Sequence, residues 1–161
     1  MDKTAKARGF RLTLFAALGV HILLFAAALA VGTVAEPFSD MFDLQDRWLQ
    51  YRTGGGLLAY LLDPHNLHRL AYTRALVMAD LSAFHGSGLV FVAVAAACLT
   101  GAAALLARAA WRNAPEPLRL PAAAVAAMLV LSSVNALDVV FPIDTPYAEA
   151  FLLAIAALAL W

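Results

Sequence analysis

Four apolar runs divide the chain. No charged residue interrupts positions 12–34, and a helix over that run reaches about 34 Å, enough to cross a hydrocarbon core of about 30 Å. A second run covers 88–107 and closes before Arg108; a third covers 121–141 and opens on Pro121, a residue suited to a first helical turn. A fourth covers 146–161, with Thr145 placed as a cap and Pro146 at the first helical position. A helix over this last run is about 24 Å long, short of a full crossing. Either Trp161 anchors a short helix at an interface or the run belongs to a longer protein. The pattern predicts an all-α fold: a polytopic transmembrane bundle of four spans. Segments 1–11, 108–120 and 142–145 flank or join the spans, and one long polar segment, 35–87, separates the first two.

Within that segment the period changes. Over 40–51 it predicts an amphipathic helix with Met41, Phe42, Leu44, Trp48 and Leu49 on the apolar side and Asp43, Asp46, Arg47 and Gln50 on the other. Trp48 and Tyr51 suit a helix lying along a membrane surface. Thr53-Gly54-Gly55-Gly56 ends it; no Gly-Lys-Ser/Thr follows, so this is a flexible break and not a phosphate loop. After the apolar dip 57–62 comes Asp63-Pro64-His65-Asn66-Leu67-His68-Arg69. Asp63 as N-cap and Pro64 at the first position predict a further helix. Its apolar side holds Leu67, Leu70, Ala71, Val77, Met78, Leu81 and Phe84, and its polar stripe holds His65, Arg69, Thr73 and Asp80.

Composition agrees with lipid as the solvent. Hydrophobic residues are 63% of 161 positions and charged residues 14%, against about 45–50% and about 25% in soluble domains. The net charge is zero, which offers nothing to nucleic acid. The lone cysteine, Cys98, allows neither an intrachain disulfide nor a thiolate metal cluster. Charge also sets orientation. Lys3, Lys6, Arg8 and Arg11 precede the first span, and Arg108, Arg112 and Arg119 lie between the second and third. Positive segments stay in the cytoplasm, so both termini are expected inside and 35–87 outside, in the inner (plasma) membrane of a bacterium. The first run is longer than the apolar core of a signal peptide, about 7–15 residues, so an uncleaved anchor is expected despite Ala28-Leu29-Ala30.

A charged N-terminus, a long first span, an acidic amphipathic helix, then Leu-Leu-Asp-Pro-His-Asn-Leu-His-Arg before an apolar helix: over residues 1–110 this order resembles the front end of bacterial polytopic membrane proteins related to the glycosyltransferase C superfamily. Such enzymes carry more spans, so the resemblance implies an N-terminal part or a reduced relative. It also implies transfer of a sugar from a polyprenyl-phosphate donor outside the membrane, with a carboxylate shortly after the first span acting on the acceptor hydroxyl. By position that carboxylate is Asp40, with Asp43 second and Glu36 third. A positioned carboxylate takes the proton of a weak nucleophile as the new bond forms. Arg69 or Arg74 would neutralise the lipid phosphate through paired guanidinium bonds, and His65 and His68 would contact phosphate or a divalent ion. Asp138, near the outer end of the third span, would meet Arg69 or Arg74.

Each of these residues also has a plain structural role. Asp40 suits a helix N-terminus, and Asp43 a solvated helix face. His65 and His68 with Asp63 fall short of the three or four ligands a metal site needs, so no metal site is assigned. Arg69 and Arg74 suit interfacial positions, and Asp138 an ion pair. Among intramembrane polar groups, His21 is expected to bond a neighbouring helix; Asn135 and Asp138 lie three apart, and behind the structural ion pair a third reading makes them the pathway of a transporter half. His21 and His85 sit at different depths, which rules out a shared haem. The alternative to an enzyme is a small non-enzymatic subunit docking onto a larger membrane complex through its outer loop.

Overall fold

A computed structural model of the chain describes residues 3–32, 40–65, 68–133, 135 and 145–160; for 3–5, 32, 40, 65, 68, 69 and 160 it describes the backbone alone. Its architecture is helical, relieved by one minimal antiparallel pairing. Helix α1 (Lys3–Gly32) is followed by α2 (Asp40–Gly54), α3 (Leu57–Leu62), the two-residue strands β1 (Pro64–His65) and β2 (His68–Arg69), and α4 (Ala71–Phe84). Then come α5 (Leu89–Asn113), a 3₁₀ turn (Glu116–Leu118), α6 (Arg119–Val130) and α7 (Thr145–Leu160).

Two helices, α1 and α5, are long and apolar enough to cross a membrane. Both outrun the expected spans. Nothing between Lys3 and Leu12 breaks a helix, so the basic N-terminus continues α1; likewise α5 runs past Arg108 to Asn113. The other two expected spans are not shown as crossings. Helix α6 stops at Val130, about 18 Å from its start at helical rise. The cause is local: Asn135 Nδ2 donates to the Leu129 and Val130 carbonyls at 3.1 and 2.8 Å, and Ser132 Oγ accepts from the Asn135 N–H at 3.4 Å. Such side-chain bonds satisfy carbonyls that a continuing helix would use. Helix α7 is apolar but has 16 residues.

The bundle core joins Phe25 of α1, Ala95, Leu99, Ala102 and Ala103 of α5, Val130 of α6, and Ala148 and Ile155 of α7. Alanine at these α5 positions lets neighbouring backbones approach closely. Gly101 carries that furthest: a Cβ there would lie 3.3 Å from Leu152 Cδ1. The outer surfaces of these helices remain apolar, with Val31 88%, Leu129 71% and Leu158 76% exposed.

The polar segment between α1 and α5 folds as a small helical cap, in which Met41, Leu44 and Val77 pack against Phe91 of α5. Here the expected helix from Asp63 onward is corrected. Asp63 ends α3 instead, its N–H donating to the Tyr60 carbonyl at 3.3 Å. The chain then pairs Pro64 with Arg69 and His65 with His68, and α4 starts only at Ala71. A proline at 64 offers no N–H to a ladder, and at the first residue of a strand that loss is tolerated. The sides of α4 are corrected as well: Thr73, Arg74, Val77 and Asp80 are buried, whereas Phe84 is exposed. On α2, Met41 and Leu44 face inward but Phe42 and Leu49 are exposed, which splits the single apolar side expected from the period.

Candidate functional site

The cap is organised around Tyr60. Its ring packs against Trp48 and Tyr51, with centroids 5.2 and 6.0 Å away, and its hydroxyl donates to the Leu44 carbonyl at 3.1 Å. Trp48 and Tyr51 of α2 thus serve an internal contact. Burial pushes the Tyr60 phenol up to about 12, against the charge of Arg74. Arg74 itself is wholly buried. Its guanidinium carbon lies 5.0 Å from the Tyr60 ring centre, Nη1 donates to the Tyr60 carbonyl at 2.8 Å, and Nη2 reaches Asp63 Oδ2 at 3.3 Å. Only Nε lacks a partner.

Asp63 Oδ2 receives a second cation. Arg47 Nη1 donates to it at 2.6 Å, while Arg47 Nε bridges both oxygens of Asp43 at 2.9 and 3.1 Å. Burial would raise the Asp63 carboxyl, but the bonds and charges of Arg47 and Arg74 outweigh it and hold the carboxyl below its ordinary value. Arg47 is correspondingly raised, first by its bond to Asp43 and then by that to Asp63. One carboxylate therefore ties α2, the end of α3 and α4 together at the point where the His65–His68 hairpin begins.

Of the residues given a catalytic or phosphate-binding role from sequence, two are seen at side-chain level. Asp43 is paired with Arg47, and Arg74 is enclosed by Tyr60 and Asp63, so its charge is used inside the cap. Asp40 is the first residue of α2, and His65, His68 and Arg69 lie on the hairpin, with only their backbones described. Glu36, Asn66, Leu67 and Asp138 lie outside the described residues. Among the described residues no group of three or more His, Cys, Asp or Glu gathers to hold a metal.

Among other polar groups, Asp80 was legible as part of a polar stripe but not as a cap, and Glu149 had not been singled out. Asp80, 1% exposed, accepts from Gly88 N at 2.8 Å and Val90 N at 3.1 Å, and so caps α5. Glu149, an acid within the apolar helix α7, accepts from the Tyr72 hydroxyl of α4, and one of its oxygens is buried without a partner. That bond, with some burial, pushes the Tyr72 phenol up to about 12. The rule that acids inside apolar spans stand out was enough to find it. His21 bonds the Ala17 carbonyl of its own helix at 3.1 Å, not a neighbouring helix.

A groove of about 530 Å³ opens between α2 and α4, lined by Trp48, Leu49, Arg52, Leu81, Ser82 and His85. His85 is the one non-glycine with positive φ among the described residues, at 58°, and it ends α4 in the left-handed conformation. An aromatic face beside an arginine, an imidazole and a hydroxyl suits a sugar or phosphate ligand. No protein-family model matches this chain, and comparison with curated proteins and with solved structures likewise gives no match.

Proposed function

We propose that this chain is a four-span integral membrane protein of a bacterial plasma membrane, with a cytoplasmic N-terminus and its cap on the outer face, and that it is glycosyltransferase-like. In this reading α6 and the residues after it, together with α7, supply the third and fourth crossings. The exposed apolar surfaces of α1, α6 and α7 support the membrane location, since such patches are costly in water.

The reaction is transfer of a sugar from a polyprenyl-phosphate donor. The acceptor oxygen bonds to the anomeric carbon, the bond from that carbon to the phosphate oxygen breaks, and polyprenyl phosphate leaves. The acceptor proton passes to a carboxylate, for which Asp40 at the head of α2 is first choice and Asp43, already paired, second. The observation that carries this reading is the bracing of Asp63 by both Arg47 and Arg74 at the base of the hairpin bearing His65, His68 and Arg69. A short polar loop fixed on a rigid base is how chemistry-bearing residues are commonly held. Arg74 then supports the site from within, and the donor phosphate falls to Arg69 and the histidines.

The test uses proteoliposomes containing the full chain, a polyprenyl-phosphate sugar labelled in the sugar, and a membrane-fraction acceptor. Label should move to the acceptor, and Asp40→Asn should abolish transfer while inserting normally. Absence of transfer by the wild type, across a panel of donor sugars, would refute the enzyme reading.

A second reading draws on Phe42, Leu49, Leu57 and Leu58, all at least half exposed on the cap. They suit a non-enzymatic subunit docking onto a larger membrane complex. Extraction in mild detergent should then recover a stoichiometric partner, lost on Leu58→Glu.

A further inference from the structure

At the opposite end of the bundle from the cap, a groove of about 540 Å³ separates the last turns of α5 and α7. Leu105 and Ala109 form one wall, Ala156 and Ala159 the other, and Arg108 and Arg112 stand at its rim. The two arginines are one turn apart on one helix face, so their charges repel. Among the described residues no carboxylate pairs with either. The negative end of the helix dipole favours a cation in the last turn, which accounts for Arg112. Arg108 lies a turn earlier, beside walls that are apolar.

We propose that this groove is a binding site for an anionic phospholipid, its acyl chain lying between α5 and α7 and its headgroup phosphate shared by Arg108 and Arg112. Three features choose this occupant. The walls are mainly aliphatic, and the one amide that joins them, Asn113, already donates to the Ala109 carbonyl at 3.0 Å, which suits a hydrocarbon chain. The rim offers two guanidinium forks, which match phosphate oxygens. The site also lies on helices with lipid-facing character, where basic pockets between helices collect anionic headgroups of the cytoplasmic leaflet. The lipid fills the space and cancels the repulsion between the arginines. This inference rests on the membrane reading above but not on the sugar-transfer chemistry.

The full chain, reconstituted in vesicles of equimolar phosphatidylcholine and phosphatidylglycerol, is released into mild detergent, and its retained lipids are counted by native mass spectrometry. Wild type should retain phosphatidylglycerol over phosphatidylcholine by at least about tenfold. Arg108→Gln/Arg112→Gln should lose that preference, while Arg8→Gln, on α1 and outside the groove, should keep it. Ala156→Phe, which leaves both arginines in place, should expel the lipid by filling the groove. Inorganic phosphate should not displace it; displacement would indicate a soluble-anion site and overturn the lipid assignment. Equal retention of both lipids, or an unchanged preference in the double variant, would also overturn it. A chain that alkaline carbonate washes off the membrane would defeat the membrane reading and this site together, whereas selective retention without sugar transfer would leave the site standing.

Discussion

The Arg74 guanidinium lies 5.0 Å from the Tyr60 ring centre and donates to the same residue's carbonyl at 2.8 Å. A charge with no exposed surface is tolerable only when such contacts replace water. Both contacts come from α3, so a six-residue helix, too short to be stable alone, is fastened to α4 by one side chain.

Arg74→Ala should therefore loosen the cap. Removing one partner of a buried pair costs roughly 3–5 kcal/mol, and the lower end applies because Asp63 keeps Arg47. Arg74→Lys should recover only part of this, since an ammonium cannot both stack flat on the ring and reach two acceptors. Hydrogen exchange of the α3 and α4 amides, compared with that of α5, measures the local effect.

Acid should act on the same junction through Asp63. Its carboxyl sits below the ordinary 3.8 in the folded state, so the unfolded chain binds the proton more readily. The stabilisation is fully present above the unfolded value and is lost as pH falls through the lower, folded value. The cap should hold through mildly acidic pH and open only below about 3.8. In Asp63→Asn this acid-dependent step should vanish, with cap stability lower at neutral pH. Proteolysis after Arg47 and Arg52 by an acid-tolerant protease of suitable specificity, or exchange at a series of pH values, reports it.

How far the sequence carried depended on the range of the forces involved. Charge-free stretches at 12–34 and 88–107 declared α1 and α5, because length and apolarity are local properties. The end of α6 was not readable in this way: the side chain of Asn135 turns back on Leu129 and Val130, and an apolar run hides that competition. Asp63-Pro64 carries a helix-start signal, yet Arg47 and Arg74, from two other elements, claim the Asp63 carboxylate. The period of α4 located a polar stripe but not its direction. Asp80 and Arg74 turn inward because each has a buried partner, and partners distant in sequence leave no trace in a periodicity. Of the candidate site, Asp43 and Arg74 were legible as residues but not as members of one ion-pair network.

Asp80→Ala should destabilise the cap–bundle connection. Its two oxygens satisfy the N–H groups of Gly88, itself at positive φ, and of Val90 at the start of α5. Loss of such a cap costs about 0.5–2 kcal/mol, and burial places this one at the upper end. Asp80→Asn should cost less, since an amide oxygen still accepts one of the bonds. Thermal unfolding in detergent gives both values.

Tyr72 offers a spectroscopic check on the contact between cap and bundle. Its phenol is raised to about 12 chiefly by its bond to Glu149. Glu149→Gln removes the negative charge that disfavours tyrosinate, so the Tyr72 titration should move back toward 10.0. The ultraviolet absorbance of tyrosinate, read as the difference between this variant and Glu149→Gln/Tyr72→Phe, isolates the one ring. An unmoved titration would mean that α4 and α7 do not meet through this pair.

Gly101 tests the packing of α5 against α7. The space beside its Cα is occupied by Leu152 Cδ1, 3.3 Å from where a Cβ would stand, with Cδ2 at 3.8 Å. Alanine needs only a few tenths of an ångström, which a leucine rotamer can yield, and it also removes the entropic cost of glycine in a helix, about 0.8–1.0 kcal/mol. These effects nearly cancel, so Gly101→Ala should leave stability close to wild type. Leucine has no such room: it must push the helices apart, at about 1–3 kcal/mol for overpacking. Gly101→Leu/Leu152→Ala should restore part of the loss by returning volume across the same contact. If Gly101→Leu alone unfolds no sooner than wild type in detergent, the close approach at Gly101 is absent and α7 is held by its other contacts, Ala148 and Ile155 in the bundle core.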